Sequence, residues 1–234
     1  MKPRRERGKF GKLGRALACI VLFTTLGFVS LGTASAATIY VPDDYSKIQC
    51  AVNNASDGDT IIVRDGMYYE NIVVNKSVVI KSENGTKNCI VNGSGGSYTP
   101  VFQVKVDNVG IIGFTVESDG TYSGIHQDYY VNNTLVMDNI IRKVEYGISL
   151  HQTSGSNVLN NTIENAAKIS MYIYRSKDTR ICNNRMLSPS TTPNYHIYMF
   201  MSENITIANN TASSASFYGI YLGDSDNNTL TKNN

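Results

Sequence analysis

Aromatic side chains recur at regular intervals in the second half of the chain, and they are the residues best suited to bind a ligand. Tyr172, Tyr198 and Tyr221 are 26 and 23 residues apart, and Tyr174 and Phe200 follow the first two by two positions. A tyrosine ring offers a flat apolar surface with a hydroxyl at its edge, which suits stacking on a sugar together with hydrogen bonding. The five aromatics therefore predict a carbohydrate-binding surface. The alternative is that these rings only stabilise neighbouring strands, at about 0.2–1 kcal/mol for each pair.

Acid and base groups near these aromatics are few. A polysaccharide lyase or hydrolase needs two carboxylates at a working separation, or metal-binding acids beside a basic proton acceptor. The candidates are His126, Asp128, His151 and Arg175. Asp128 and His151 would be neighbours if successive repeats stack, where they could transfer a proton or form a surface ion pair. They are the candidates for catalysis, and an enzyme is the second hypothesis after a noncatalytic binding protein.

A metal-handling module is the third hypothesis. His196, Met199 and Met201 are the one soft-ligand cluster that could suit copper. Met199 is expected to face the interior and His196 to lie at a turn, so a shared site is not expected. We predict no metal site and no cofactor.

Cysteine usage is sparse. Cys50, Cys89 and Cys182 remain once an N-terminal leader containing Cys19 is removed. Cys50 and Cys89 are the candidate disulfide because both fall in the N-terminal part, and small buried thiols without a bond are the alternative. No pair of cysteines has the spacing of zinc ligands.

The second half of the chain contains a repeat of about 23 residues. A triplet with a small or polar residue at its centre recurs five times, and its central residues are separated by 23, 23, 26 and 23 positions. A series of five asparagines recurs in the same way, with separations of 22, 23, 26 and 24 positions. The first column is Gly124, Gly147, Ser170, His196 and Gly219, and the second is Asn139, Asn161, Asn184, Asn210 and Asn234. Two columns in nearly the same register indicate stacked structural units.

Within each repeat the side chains alternate with a period of two, as in a β-strand. Ile148, Met171, Ile197 and Ile220 begin pairs of apolar residues that should point inward. Short strands broken by Asn, Gly and Ser leave little room for helices, and stacking them in parallel gives a continuous apolar interior. Asn139, Asn161, Asn184 and Asn210 should form a hydrogen-bonded ladder at the turns. The predicted fold is an all-β, single-stranded parallel β-helix, or solenoid.

The N-terminal part should cap this solenoid. Residues 46–55 place Ile48, Ala51, Val52 and Ala55 on one face of a short helix, with Asp44 or Ser46 as N-cap. A covering helix would bury the apolar end of the first coil. We assign residues 37–100 to the cap and first coils and 101–234 to the repeats. The chain stops within a repeat, which is expected of a frayed last coil or of a truncated version of a longer protein.

The first 36 residues have the order of a secretory signal peptide. Seven basic residues and one acid in positions 1–15 precede an apolar run at 17–32, and a small-x-small cleavage site ends at Ala36. An uncleaved anchor is the alternative. Without residues 1–15 the formal charge changes from +2 to −4, which argues against a nucleic-acid partner. We predict a secreted or cell-surface protein with no membrane span after cleavage, and nine Asn-x-Ser/Thr sequons that can accept glycans.

Residues 39–85, the segment 109–116 and the Gly-Ile and Asn-Asn repeats together resemble right-handed parallel β-helix proteins of the pectin-lyase-like group. More specifically, they resemble secreted, surface-layer-associated archaeal proteins whose repeats are similar to those of the copper-related β-helix protein of nitrous-oxide reductase gene clusters. The resemblance implies the right-handed fold over nearly all of the mature chain. It leaves activity open, because lyases, hydrolases, binding modules and structural surface proteins share this scaffold. A polysaccharide or cell-surface glycan is the expected partner.

Overall fold

The chain winds into stacked coils, each made of three short strands. The structure is a computed structural model, and it describes residues 35–94, 96, 98–118, 122–187, 195–215 and 217–234. Every ladder between named strands is parallel, and each strand pairs with its equivalent one coil away. The prediction of an all-β parallel β-helix with a short N-terminal helix is confirmed.

Three sheets run along the solenoid, and seven coils each contribute one strand to every sheet, while sheet 1 has one additional strand at each end. Sheet 1 contains β1 (Thr38–Val41), β2 (Thr60–Val63), β5 (Val79–Ser82), β8 (Gly110–Ile112), β11 (Leu135–Met137), β14 (Asn157–Leu159), β17 (Arg180–Cys182), β20 (Thr206–Ala208) and β23 (Thr229–Thr231). Sheet 2 contains β3 (Gly66–Tyr69), β6 (Cys89–Gly93), β9 (Thr115–Ser118), β12 (Ile140–Arg142), β15 (Thr162–Glu164), β18 (Arg185–Leu187) and β21 (Thr211–Ser213). Sheet 3 contains β4 (Ile72–Val74), β7 (Phe102–Val104), β10 (Ser123–Gln127), β13 (Tyr146–His151), β16 (Ile169–Tyr174), β19 (Tyr195–Phe200) and β22 (Tyr218–Gly223).

The interior is a continuous apolar column, because equivalent residues of successive coils lie directly above one another. Ile148, Met171 and Ile197 are paired in register on sheet 3 and are each at most 1% exposed. In the last coil the inward positions are less covered, and Leu222 is 36% exposed. The alternating pattern in the sequence thus identifies the buried face correctly, except where no coil follows within the chain.

A short helix, α1 (Ile48–Asn54), covers the start of the apolar column. Ile48, Ala51 and Val52 are fully buried in the core, as the periodicity predicts. The predicted N-cap is wrong, because Lys47 occupies the N-cap position and makes no side-chain cap. The carboxylate of Glu70 takes over this role and accepts hydrogen bonds from the backbone N–H groups of Ile48, at 2.9 Å, and Gln49, at 3.0 Å.

Replacing Glu70 by alanine should destabilise the cap. The variant leaves two helix N–H groups without their acceptor, and lost helix caps typically cost about 0.5–2 kcal/mol. We expect a loss of about 1–2 kcal/mol in the free energy of unfolding, measured by denaturant titration. Glu203→Ala is the matched control, because its exposed carboxylate bonds to no side chain in the part of the chain described. Equal unfolding midpoints for both variants would contradict this role of Glu70.

The asparagine column forms a buried ladder between sheets 1 and 2. The Nδ2 of Asn139 donates to Oδ1 of Asn161, and the same bond joins Asn161 to Asn184, Asn184 to Asn210 and Asn210 to Asn233, each at 3.0 Å. The first four side chains are each 1% exposed. The amides therefore link five successive coils through hydrogen bonds inside the protein.

Backbone groups complete the ladder. The Nδ2 of Asn184 also donates to the Val158 carbonyl at 2.9 Å, and its Oδ1 accepts from the backbone N–H of Asn161 at 2.9 Å. The residue before each ladder position, such as Asn183 with φ of +58°, takes a left-handed conformation and is exposed. The expectation that Asn234 ends the column is wrong by one residue, because Asn233 holds that place.

The three cysteines of the described chain are all free thiols, so the candidate disulfide between Cys50 and Cys89 does not form. Cys50 is only half-buried on α1, beside the face that packs inward, whereas Cys89 is fully buried at the start of β6. Burial raises the pKa of the Cys89 thiol to about 12. This thiol stays protonated at neutral pH and acts as a small apolar core residue.

The predicted signal peptide falls almost entirely outside the described residues, which include only its Ser35 and Ala36. None of the helices in the part of the chain that the structure describes has the length and hydrophobicity of a membrane span.

Candidate functional site

The five predicted aromatics lie together on the outer surface of sheet 3, and we call them the aromatic face. Tyr172, Tyr198 and Tyr221 are paired in register on three successive strands, and Tyr174 is paired with Phe200 beside them. Their ring centroids are 5.6 Å apart for Tyr172 and Tyr198, 4.8 Å for Tyr198 and Tyr221, and 6.3 Å for Tyr174 and Phe200. Parallel pairing thus converts a sequence period into a stacked column of rings.

The aromatic face is larger than the sequence analysis anticipated. Tyr195 packs edge-on against Tyr198 at 5.2 Å and stacks on Tyr218 at 5.7 Å, and Phe217 adjoins both Tyr195 and Tyr218. Phe217 and Tyr218 are 58% and 51% exposed. In three repeats a tyrosine directly precedes the small or polar residue of the recurring triplet, at Tyr146, Tyr195 and Tyr218. This recurrence is the sequence signal that could have identified the extension.

The aromatic face is half-buried and uncharged, with an arginine at its edge. Burial raises the pKa of Tyr172 and of Tyr198 above the usual tyrosine value, so their hydroxyls are protonated at neutral pH. The Arg175 guanidinium lies over the Tyr174 ring, 5.1 Å from its centroid. The hydroxyls of Tyr172 and Tyr198 make no hydrogen bond with other described residues. The face therefore presents a column of partly exposed, stacked rings together with free hydroxyl groups.

A polar group of residues adjoins the rings on sheet 3, and we call His126, Asp128 and His151 the histidine cluster. His126 Nε2 lies 3.3 Å from Asp128 Oδ1, and Gln103 Nε2 donates to both oxygens of Asp128 at 3.0 and 3.1 Å. The rings of His126 and His151 are 5.0 Å apart, and Tyr172 is 5.2 Å from His151. The cluster is therefore continuous with the aromatic face.

Burial controls the protonation of the histidine cluster. It lowers the pKa of His151 to about 4, aided by the nearby His126 and opposed by Asp128. Burial also lowers the pKa of His126, against the opposing effect of Asp128. Both imidazoles are neutral at pH 7.

The structure corrects three expectations about the polar candidates. His151 is only 7% exposed rather than at the surface, because neighbouring rings enclose it. Asp128 pairs with His126 of its own coil, so the predicted pairing of Asp128 with His151 does not form. His196 lies within β19 rather than at a turn, fully buried, with its ring nitrogens at 3.1 Å from Ser170 Oγ and 2.8 Å from the Ser213 carbonyl.

Comparison with protein families gives one match over most of the chain. The family model described as periplasmic copper-binding protein (NosD) matches residues 52–192 and 117–234. The chain belongs to the NosD family. A further relative of this NosD-family chain is a cell surface glycoprotein of Methanothermus fervidus, 31% identical over 222 residues. The alignment covers 80% of this chain and 36% of the glycoprotein, so the chain spans about a third of that relative's length.

Solved structures similar to the NosD-family chain include two pectin methylesterases. One, in complex with a hexasaccharide, is 9% identical with a TM-score of 0.42, over 75% of this chain and 80% of that one. The other, from Erwinia chrysanthemi, is 10% identical with a TM-score of 0.38, over the same shares of the two chains. These similarities say nothing about activity.

The NosD family description implies copper, and the described residues do not fit a copper ion. His, Cys and Met are the protein ligands that copper prefers. Both ring nitrogens of His196 have partners, and Met199 is fully buried in the core while Met201 is 42% exposed. Within the described ranges, no three His, Cys, Asp or Glu side chains come close enough to share a metal ion.

The family match and the archaeal relative confirm two predictions about the NosD-family chain. The first is the resemblance to surface-layer-associated β-helix proteins with copper-related repeats. The second is the location, because one match is a periplasmic family and the other a cell surface glycoprotein. The chain is a secreted or cell-surface β-helix protein.

Proposed function

We propose that this surface β-helix protein binds carbohydrate through the aromatic face. The observation that carries the proposal is the column of Tyr172, Tyr198 and Tyr221, stacked in register with part of each ring open to solvent. Tyrosine rings pack on the apolar face of a sugar, and their hydroxyls reach its hydroxyl groups.

The geometry suits an extended chain rather than a small molecule. Neighbouring coils lie about 4.8 Å apart, so the column presents successive rings at a constant interval along the solenoid axis. A shallow open pocket lined by Arg175, Lys177, Glu203 and neighbouring residues borders the rings, because Arg175 also lies over Tyr174. A long, open surface of this kind favours a polysaccharide as the ligand, and binding as the role.

The double variant Tyr172→Ala, Tyr198→Ala should lose polysaccharide binding. Removing two adjacent rings deletes the centre of the column, and stacking losses of about 1 kcal/mol or more for each ring predict at least tenfold weaker binding. Affinity electrophoresis and calorimetry against a panel of neutral and acidic polysaccharides measure this loss.

Tyr69→Ala is the matched control, because Tyr69 is 66% exposed on β3 of sheet 2, away from the aromatic face. It should bind like the wild type. Wild-type affinity in the double variant, with an unchanged circular dichroism spectrum, would reject the proposal and leave the rings a purely structural role.

A further inference from the structure

His151 has an arrangement that the fold does not require. Only 7% of the residue is exposed to solvent, yet neither ring nitrogen has a hydrogen-bond partner among the described residues. Nδ1 of His126 is likewise buried without a partner. Buried polar groups without a partner are disfavoured and rare in native proteins, and each calls for an explanation such as a catalytic role or an ordered water or ion. Three unpaired nitrogens of adjacent coils therefore point to a ligand that completes them.

The available hydrogen bonds define the chemistry of that ligand. Asp128 lies against Nε2 of His126 and so fixes the proton there, which leaves Nδ1 of His126 as an acceptor. Neutral His151 offers one donor and one acceptor. A hydroxyl group both donates and accepts, so two neighbouring hydroxyls satisfy all three nitrogens. An anionic group would instead meet the Asp128 carboxylate.

A turn of two tyrosines covers this place. The Tyr129 ring packs edge-on against His151 at 5.3 Å, and Tyr129 and Tyr130 are 55% and 73% exposed. Tyr130 has φ of +65°, a left-handed conformation that bulky residues rarely adopt. Backbone strain of this kind is found preferentially at functional sites. Movement of this turn would open the histidine cluster from the solvent side.

We propose that the histidine cluster is a subsite of the aromatic face that binds adjacent hydroxyls of an uncharged sugar residue, with Tyr129 as its lid. The proposal rests on the proposed carbohydrate binding. A sugar stacked on Tyr172 or Tyr174 has its edge beside His151, because the ring centroids are 5.2 and 6.2 Å away. The subsite makes the surface selective for neutral over acidic polysaccharides.

The test compares His151→Phe with the wild type, because phenylalanine keeps the ring and removes the nitrogens. Calorimetry with cellohexaose, mannohexaose and polygalacturonate, each with and without EDTA, should show wild-type binding of a neutral hexasaccharide that exceeds binding of polygalacturonate. His151→Phe should weaken the neutral binding about tenfold or more, as expected for lost hydrogen bonds to a buried polar site. Tyr129→Ala should accelerate association, and Tyr69→Ala should change nothing.

The outcomes separate the two proposals. If His151→Phe binds like the wild type while Tyr172→Ala, Tyr198→Ala does not, the carbohydrate surface stands and the subsite is rejected. Stronger binding of polygalacturonate also rejects the subsite, and binding seen only without EDTA would mean a metal-bridged contact and reject it too. Absence of wild-type binding to every probe rejects both proposals.

Discussion

Replacing Asn184 by alanine should lower the free energy of unfolding by about 4 kcal/mol, because the side chain satisfies several buried groups at once. Its amide bonds Asn161, Asn210 and the Val158 carbonyl, all within the interior. Alanine leaves the Asn161 backbone N–H and the Val158 carbonyl without these partners, and each unsatisfied buried group costs about 1–3 kcal/mol. The loss also opens a small void between two coils.

Denaturant unfolding followed by circular dichroism measures this effect, and Asn183→Gly is its matched control. Asn183 precedes Asn184, is exposed and has a left-handed backbone that glycine adopts readily. We expect the control to lose less than about 1 kcal/mol. A similar unfolding midpoint for both variants would show that the ladder adds little to stability.

The protein should lose about 3 kcal/mol of stability from His151 alone as the pH falls from about 6.5 to about 4. Burial lowers the pKa of His151 from 6.5 to about 4, so in this window the unfolded chain binds a proton that the folded protein does not. The contribution of His151 to stability is fully present above its pKa in the unfolded chain, and it is lost as the pH falls towards its pKa in the folded protein. The groups that face His151 are His126, Asp128, Tyr129, Tyr172 and Tyr174.

His126 and His196 should add to this loss, because burial lowers their pKa values as well. His151→Phe isolates the share of His151, since only that titration is removed. The free energy of unfolding, measured at pH 7, 5.5 and 4.5, should decrease less with falling pH in the variant than in the wild type. Parallel pH dependences for the two proteins would mean that His151 titrates normally in the folded state.

Periodicity made much of the fold predictable, because parallel stacking places equivalent residues of each repeat in one column. The inward positions such as Ile148 and Met171, and the ladder position of Asn184, follow directly from spacing. Spacing alone does not fix the register to one residue, so it predicts Asn234 at the ladder position that Asn233 occupies. A local sequence pattern does not predict features that depend on contacts between two coils or two turns.

Non-local contacts account for the remaining errors. The cap of α1 comes from Glu70, 22 residues after Ile48, where no local capping motif could indicate it. The burial of His151 depends on Tyr129 of the preceding coil and on Tyr172 and Tyr174 of the next one. A sequence period shows which residues share a column, but it does not show which side chains of neighbouring columns contact each other.

The asparagine ladder has a direction. Every Nδ2 donates to the next coil towards Asn233, so the amide dipoles are aligned head to tail, and aligned hydrogen bonds polarise one another. A single amide that rotated by half a turn would set NH₂ against NH₂ on one side and oxygen against oxygen on the other. A reversal of the whole column is opposed too, because the Nδ2 of Asn184 donates to the Val158 carbonyl and its Oδ1 accepts from the Asn161 N–H. The column therefore carries a permanent dipole with its positive end towards the last coil.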